Sequence, residues 1–258
     1  QGRITHETVG DYTTGICYNG EGQVRQTVQN LSGGESADPC SVSPSDNTDQ
    51  NLVTSFEYDA AGRPLSITDS QGRLTRIRYN AAGDVLLKVI NATNPSAPIE
   101  SLVFNPQQPD HNLITGYHYD ALGRVTRVVE WRKPSLPYDP NVITSTPEVH
   151  IRFFAYDGAG RLVSDIVNYV NGLPDNLYSD DNPDYDPQWD IITHYAYDPS
   201  GNRILTQTHF PSGNERYDWV CYNELNLPQT AISHTSVSRF TDAFNPDCSP
   251  RLTITEDR

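Results

Sequence analysis

The sequence predicts an all-β protein assembled from tandem antiparallel hairpins, and three observations carry that prediction. A short phrase, Tyr followed by Asp or Asn, two small or polar residues and a Gly, is rewritten along the 258 residues. The residues after each copy alternate with the period of a strand. No segment sustains a helical period.

The copies read CYNGEGQV from Cys17, EYDAAGRP from Glu57, RYNAAGDV from Arg78, HYDALGRV from His118, AYDGAGRL from Ala155, AYDPSGNR from Ala196 and CYNELNLP from Cys221. Their tyrosines are Tyr18, Tyr58, Tyr79, Tyr119, Tyr156, Tyr197 and Tyr222. The gaps between them are 40, 21, 40, 37, 41 and 25 residues, so the unit is one such short interval or twice it. Each copy is a hairpin instruction. Asp or Asn starts a turn by accepting a backbone hydrogen bond two residues on. Gly then takes the left-handed position that forms a one-residue bulge. The exit strands RLTRI at Arg73, RVTRV at Arg124 and RLVSDIV at Arg161 alternate and are β-branched, and SQGRL at Ser70 marks a half-step between two units.

The entry strands repeat too: NLVTSFEYD ends at Asp59, NLITGYHYD at Asp120 and DIITHYAYD at Asp198. Pairing them in register predicts like beside like, with aromatic ladders of Phe56 and Tyr58, Tyr117 and Tyr119, and Tyr195 and Tyr197 across one face. Arg63, Arg73, Arg124 and Arg161, which follow the turn glycine, are then expected to pair with neighbouring aspartates along the stack. Polar, Pro-rich connectors at 33–50, 91–111, 133–148 and 171–188 are long for hairpin loops and read as surface loops on one rim.

A 36% hydrophobic and 20% charged composition describes a chain that buries a core. The net charge of −15 opposes binding to phosphate backbones and anionic membranes, which excludes nucleic acid as the expected partner. No apolar run is long enough to cross a bilayer as a helix, and no signal-peptide pattern opens the chain. Met is absent, so the chain is expected to be processed or cut from something longer.

The four cysteines come in two similar settings. ICYNGEGQVRQTV around Cys17 resembles VCYNELNLPQTAI around Cys221, and ADPCSVSP around Cys40 resembles NPDCSPRL around Cys248. The expected disulfides are Cys17–Cys40 and Cys221–Cys248, each closing a local loop. Zinc is the competing reading, but no CxxC spacing or paired histidine accompanies them. Disulfides imply an oxidising compartment. The offset of 204 residues between the two settings suggests a superrepeat, with the chain as a single continuous array over 1–258 that starts and ends mid-unit.

The YDxxGRL phrase, its spacing and its YNAAGD variants resemble the RHS or YD-repeat family over about Gly15 to Asn226. Members include bacterial RHS-repeat and wall-associated proteins, toxin-complex subunits and teneurins. The resemblance implies a strand ribbon that spirals into a hollow shell or a solenoid-like sheet. Toxin-bearing members often close with a self-cleaving DPxGL-type segment. The nearest stretch here, YDPSGNR at Tyr197, is another turn phrase without that context.

Few residues suggest chemistry. The seven histidines show no HExxH or ligand-pair spacing; His118 and His194 lie in strand phrases and read as sheet-face residues. No GxSxG, phosphate loop or dinucleotide fingerprint appears. In SDDNPDYDPQWD, Asp180, Asn182, Asp184 and Asp186 offer oxygens at alternating positions like half a calcium loop, the one cofactor candidate. Tyr185 and Ile191 stand where such a loop needs Gly and Glu. Trp131, Trp189 and Trp219, beside loops, are the candidate glycan contacts. Asn30-Leu31-Ser32 and Asn91-Ala92-Thr93 match the N-glycosylation pattern.

The reading is a non-enzymatic extracellular or cell-surface scaffold segment, self-associating into a fibre through its open edges or through neighbouring repeats of the same protein. The alternatives are a wall segment of a hollow toxin-enclosing shell and an adhesin for cell-surface glycans. Neither nucleic-acid binding nor membrane insertion is expected.

Overall fold

The computed structural model describes residues 3, 5–44, 49–170, 190–210, 214–235 and 248–249. The chain divides into two compact units, Gln1–Tyr117 with Glu130–Pro140, and His118–Val129 with Asn141–Arg258. The first holds β1 (His6–Val9), β2 (Tyr12–Tyr18), β3 (Val24–Gln29), β4 (Leu52–Tyr58), β5 (Pro64–Thr68), β6 (Leu74–Tyr79) and β7 (Val85–Ile90). The second holds β10 (Val149–Tyr156), β11 (Leu162–Val167), β12 (Ile191–Tyr197), β13 (Arg203–His209), β14 (Glu215–Tyr222) and β15 (Pro228–Thr235). Strands β8 (Leu113–Tyr119) and β9 (Val125–Trp131) contribute residues to both. Strand order follows chain order in one open antiparallel sheet, and the only helical pieces among the described residues are single 3-10 turns at Gly34–Ser36 and Ile99–Ser101. The all-β fold of tandem hairpins is as the sequence predicts.

Each phrase makes the turn its residues dictate. At the β4–β5 hairpin the Asp59 N–H donates to the Arg63 carbonyl and the Gly62 N–H to the Asp59 carbonyl, 2.9 Å each. Gly62 has φ +82°, the left-handed conformation that a side chain resists. The register slips by one residue just before the tyrosine: Glu57 opposes Ser66, yet Tyr58 opposes Pro64. The same slip precedes Tyr18, Tyr79, Tyr156, Tyr197 and Tyr222. In the last copy Asn226 stands at the glycine position with φ +59°.

These turns join β2 to β3, β4 to β5 and so on, while the connectors join β3 to β4, β7 to β8 and β11 to β12 at the opposite strand ends. Each of these three connectors is clasped at its base by a pair of left-handed residues: Asn30 and Asn51 (φ 49° and 52°), Asn91 and Asn112 (53° and 49°), Asn168 and Asp190 (53° and 48°). In every pair the second residue's N–H donates to the first one's carbonyl at 3.0–3.1 Å. Its side-chain oxygen also accepts the N–H of Ser32, Thr93 or Val170, at 2.9, 3.0 and 2.9 Å. Asn and Asp tolerate this conformation better than other side chains.

The first two connectors cover one sheet face of the first unit. Gly15 opposes Val28, and Val28 opposes Val53. Both valines pack with Leu31 of the first connector. Farther along, Leu87, Val89 and Ile114 are buried, and the second connector buries Ala92, Ile99, Leu102 and Phe104. In the second unit Tyr217, Trp219, Cys221, Ile232 and Cys248 form one cluster. The disulfides Cys17–Cys40 and Cys221–Cys248 are both present, with Cα atoms 5.0 and 5.6 Å apart.

Gly15 is where the first connector touches the sheet. A Cβ there would stand 2.6 Å from the Pro39 Cβ and 2.8 Å from Leu31 Cδ2. Gly15→Ala is therefore expected to lower the unfolding free energy by about 1–3 kcal/mol, as overpacking does. Gly20→Ala, where a Cβ meets nothing within 4 Å, is expected to stay within about 0.5 kcal/mol of wild type. Chemical denaturation of both variants measures the difference.

Candidate functional site

The phrase rim carries the densest organised chemistry of the chain. In the turns that begin with Asp, one carboxylate ties three donors. Asp59 Oδ1 accepts the N–H groups of Ala61 and Arg63 at 2.9 Å, while Oδ2 accepts Arg63 Nε at 2.7 Å. Asp120 with Arg124 and Asp157 with Arg161 repeat this geometry, each with a 2.7 Å side-chain bond. The half-step turn does the same with Asp69 and Arg73.

The guanidinium then reaches the next turn. Arg63, Arg124 and Arg161 donate to the carbonyls of Asn80, Asp157 and Asp198 at 3.3, 3.5 and 3.4 Å. Each lies 4.6 Å from the ring centroid of that turn's tyrosine: Tyr79, Tyr156 and Tyr197. The tyrosine hydroxyl reaches back, donating to the carbonyl just after the arginine: Pro64, Val125 and Leu162, at 2.9, 2.9 and 2.7 Å. Tyr58 reaches Val24 in the same way at 2.6 Å. Successive phrase turns are two strands apart, about 10 Å, a span that an arginine covers.

Two expectations are corrected here. The face of Tyr197 carries a guanidinium where the aromatic ladder called for a neighbouring ring, and Tyr79 and Tyr156, outside that expected ladder, are covered in the same way. The arginines pair with the aspartate of their own turn, not with one along the stack, because the turn brings the two side chains together four residues apart. The phrases also show a pairing rule. Where the first turn residue is Asp, the fifth is a donor, as in Asp198 with Asn202 at 2.8 Å. In two of the copies that begin with Asn, the fifth is an acceptor: Asn19 donates to Gln23 at 2.7 Å and Asn80 to Asp84 at 2.8 Å. This complementarity was readable at a spacing of four, and the clasp residues were readable as Asn or Asp flanking each connector.

The other singled-out residues scatter. Trp131 is 3% exposed, donates from Nε1 to the Leu136 carbonyl at 3.1 Å and meets Tyr138 edge-on. Trp219 is 5% exposed within its cluster. Neither offers a free ring to a sugar, because the covered sheet face needs their apolar area. Trp189 and the calcium candidates Asp180, Asn182, Asp184 and Asp186 lie outside the described residues, as does the 171–188 connector. Among the described residues no three His, Cys, Asp or Glu are grouped to hold a metal. Burial, then the nearby Arg127 charge, lowers the His118 pKa, and burial, then His209, lowers that of His194. The sequon residues Asn30 and Asn91 are clasp residues whose amides donate to the carbonyls of Asp49 and Asp110.

A cavity of about 1000 Å³ opens on the covered face of the first unit. Gln26, Ser55, Glu57, Ser66, Arg76 and Arg78 line it. It exists because β5 and β6 are joined by the tight turn at Asp69–Arg73 instead of a long connector. Its floor is polar: Ser66 Oγ donates to Glu57 at 2.7 Å and Arg76 to the Ala97 carbonyl at 2.5 Å.

The RHS Repeat family model matches residues 48–74 and 58–95, which contain two phrase turns, the half-step turn between them and the lattice between Arg63 and Tyr79. Residues 48–95 are thus similar to RHS repeats. The chain is 27% identical over 210 residues to double-stranded DNA deaminase toxin A of Burkholderia cenocepacia strain H111, a match covering 76% of this chain and 13% of that protein. The TcdB2-TccC3-Cdc42 crystal structure is similar with a TM-score of 0.36 at 19% identity, over 90% of this chain and 13% of that one. The Photorhabdus luminescens Tc holotoxin pore gives 0.35 at 16%, over 98% and 14%. Both scores lie below 0.5. The chain spans about an eighth of the length of the relative it matches.

The turn aspartates give a pH signature. The Arg124 side chain, then the Arg124 N–H, hold the Asp120 carboxyl below its ordinary value; for Asp59 and Asp157 the N–H groups of Arg63 and Arg161 lead. A depressed folded pKa contributes stability that is full above the ordinary carboxylate value of about 4 and is lost as pH falls through the folded value. Melting temperature is expected to fall between about pH 4 and pH 2, and Asp157→Asn to flatten that fall while lowering the melting temperature at neutral pH. An unchanged acid slope in the variant would remove the turn carboxylates from this role.

Proposed function

We propose that the chain is a non-enzymatic scaffold segment of a larger RHS-repeat protein, one stretch of a wall of paired strands that lies outside the cytoplasm. The observation that carries the reading is the two-way tie between successive phrase turns, arginine forward and tyrosine back. Such ties make each hairpin a structural member whose partners are the neighbouring repeats of the same protein. The disulfides favour an oxidising compartment. No helix among the described residues is long and apolar enough to cross a membrane.

Between a shell and a fibre, the relative favours the shell: most of this chain aligns with a small part of a protein named as a toxin. The chain is then a wall segment, and any toxic activity belongs to other parts of its parent. Electron cryomicroscopy of the full parent protein tests this. Closed hollow particles with this chain in the wall are the expected result. Continuous fibres with an axial repeat would overturn the shell and establish self-association, and a compact particle with these hairpins dispersed would overturn the scaffold reading altogether.

A further inference from the structure

The first connector is held down differently from the second. The second, 91–112, buries Ala92, Ile99, Leu102 and Phe104. The first buries only Leu31, near its start, and Pro39, which packs on Gly15, with Ala37 and Val42 partly buried. Its middle crosses the sheet on polar ties. Gln26 Nε2 donates to the carbonyls of Pro39 and Val42 at 3.0 and 2.8 Å, and His6 Nε2 meets the Ala37 carbonyl at 2.9 Å. At the exposed edge Thr8 donates to Glu35 at 2.8 Å. Each of these can be exchanged for water at little net cost. The covalent tie is Cys17–Cys40, beside the small contact of Pro39 with Gly15.

The bond is also asymmetric. Cys17 projects from β2 onto the covered face and is 1% exposed, whereas Cys40 on the connector is exposed. Beneath the connector lie Val28, Val53 and Gly15, and Gln26 is shared between the connector and the cavity wall. We propose that residues 31–44 form a redox-releasable strap: reduction of Cys17–Cys40 frees it while the strands beneath stay paired, exposing Val28 and Val53 and widening the polar cavity on the Gln26 side.

The reductant is a dithiol. One thiolate attacks the exposed Cys40 sulfur, forming a mixed disulfide and releasing Cys17 as a thiolate that takes up a proton. The second thiol of the reductant then displaces Cys40, which is protonated in turn. Two electrons pass to the protein disulfide and the reductant leaves as its own disulfide. In an oxidising compartment the strap is closed, and on transfer to a reducing one it opens. The sheet survives because its cohesion lies in the β2–β3 and β3–β4 ladders and in the Asn30–Asn51 clasp, none of which uses the sulfurs.

Hydrogen exchange read by mass spectrometry on the whole chain tests the strap, with and without dithiothreitol. A Cys17→Ala/Cys40→Ala variant that retains Cys221–Cys248 separates the two disulfides. In both, exchange within 31–44 is expected to accelerate about tenfold or more, with β3 to β7 unchanged within about twofold. Strap exchange that stays slow after reduction would overturn the proposal, since the polar ties would then suffice. Exchange of β2 to β4 rising together with the strap would also overturn it, because the bond would then support the sheet itself. Should the variant fail to fold, reduction of the folded protein, followed by circular dichroism and exchange, decides between the same outcomes.

Discussion

The structure depends on one guanidinium placed between two turns. Arginine at the fifth position of a phrase is fixed by its own aspartate, so its fork is already oriented when it meets the next turn's carbonyl and ring. That orientation matters energetically. A flexible cation on a surface gains little from a carboxylate or a ring. A pre-ordered one loses less entropy on making each further contact. The tyrosine completes the exchange by donating back across the same gap. Adjacent hairpins are thereby joined at their turn ends as well as through their strand ladders.

The rest of the fold arranges itself around that rim. With every phrase turn on one side, the long connectors must leave from the other. In the first unit they fold over the sheet face opposite the phrase tyrosines, where Val28 and Val89 need cover. Left-handed Asn or Asp residues close three of the connectors at their bases, so their length adds little strain to the sheet. Where a connector is lacking, between β5 and β6, the cover stops and a polar cavity remains. The same logic accounts for the buried tryptophans: Trp131 and Trp219 belong to the covered face, not to exposed loops.

Much of this was legible in the residues. The turn, its left-handed glycine and the bulge before the strand follow from Tyr-Asp-x-x-Gly alone, and similar flanking residues paired the cysteines. The cross-turn contacts were not legible from alternation. Strand periodicity says which side chains share a face, but not that a guanidinium would cover the ring of Tyr156 in place of another aromatic. The complementary residues at positions one and five, Asp with Arg or Asn and Asn with Gln or Asp, held that information at a spacing no strand period reveals. The burial of Trp131 and Trp219 was hidden because it depends on where a connector folds back, a tertiary fact.

The central claim, that neighbouring hairpins are energetically coupled through the arginine and the next tyrosine, is tested most directly by a double-mutant cycle on Arg124 and Tyr156. Arg124→Ala, Tyr156→Leu and the double variant would be unfolded by denaturant under identical conditions. A coupling energy of about 0.5–2 kcal/mol, the range of a partly shielded cation over a ring, is the expected result. Additivity within about 0.3 kcal/mol would mean that the contact is geometric only, and that strand pairing alone holds the repeats together.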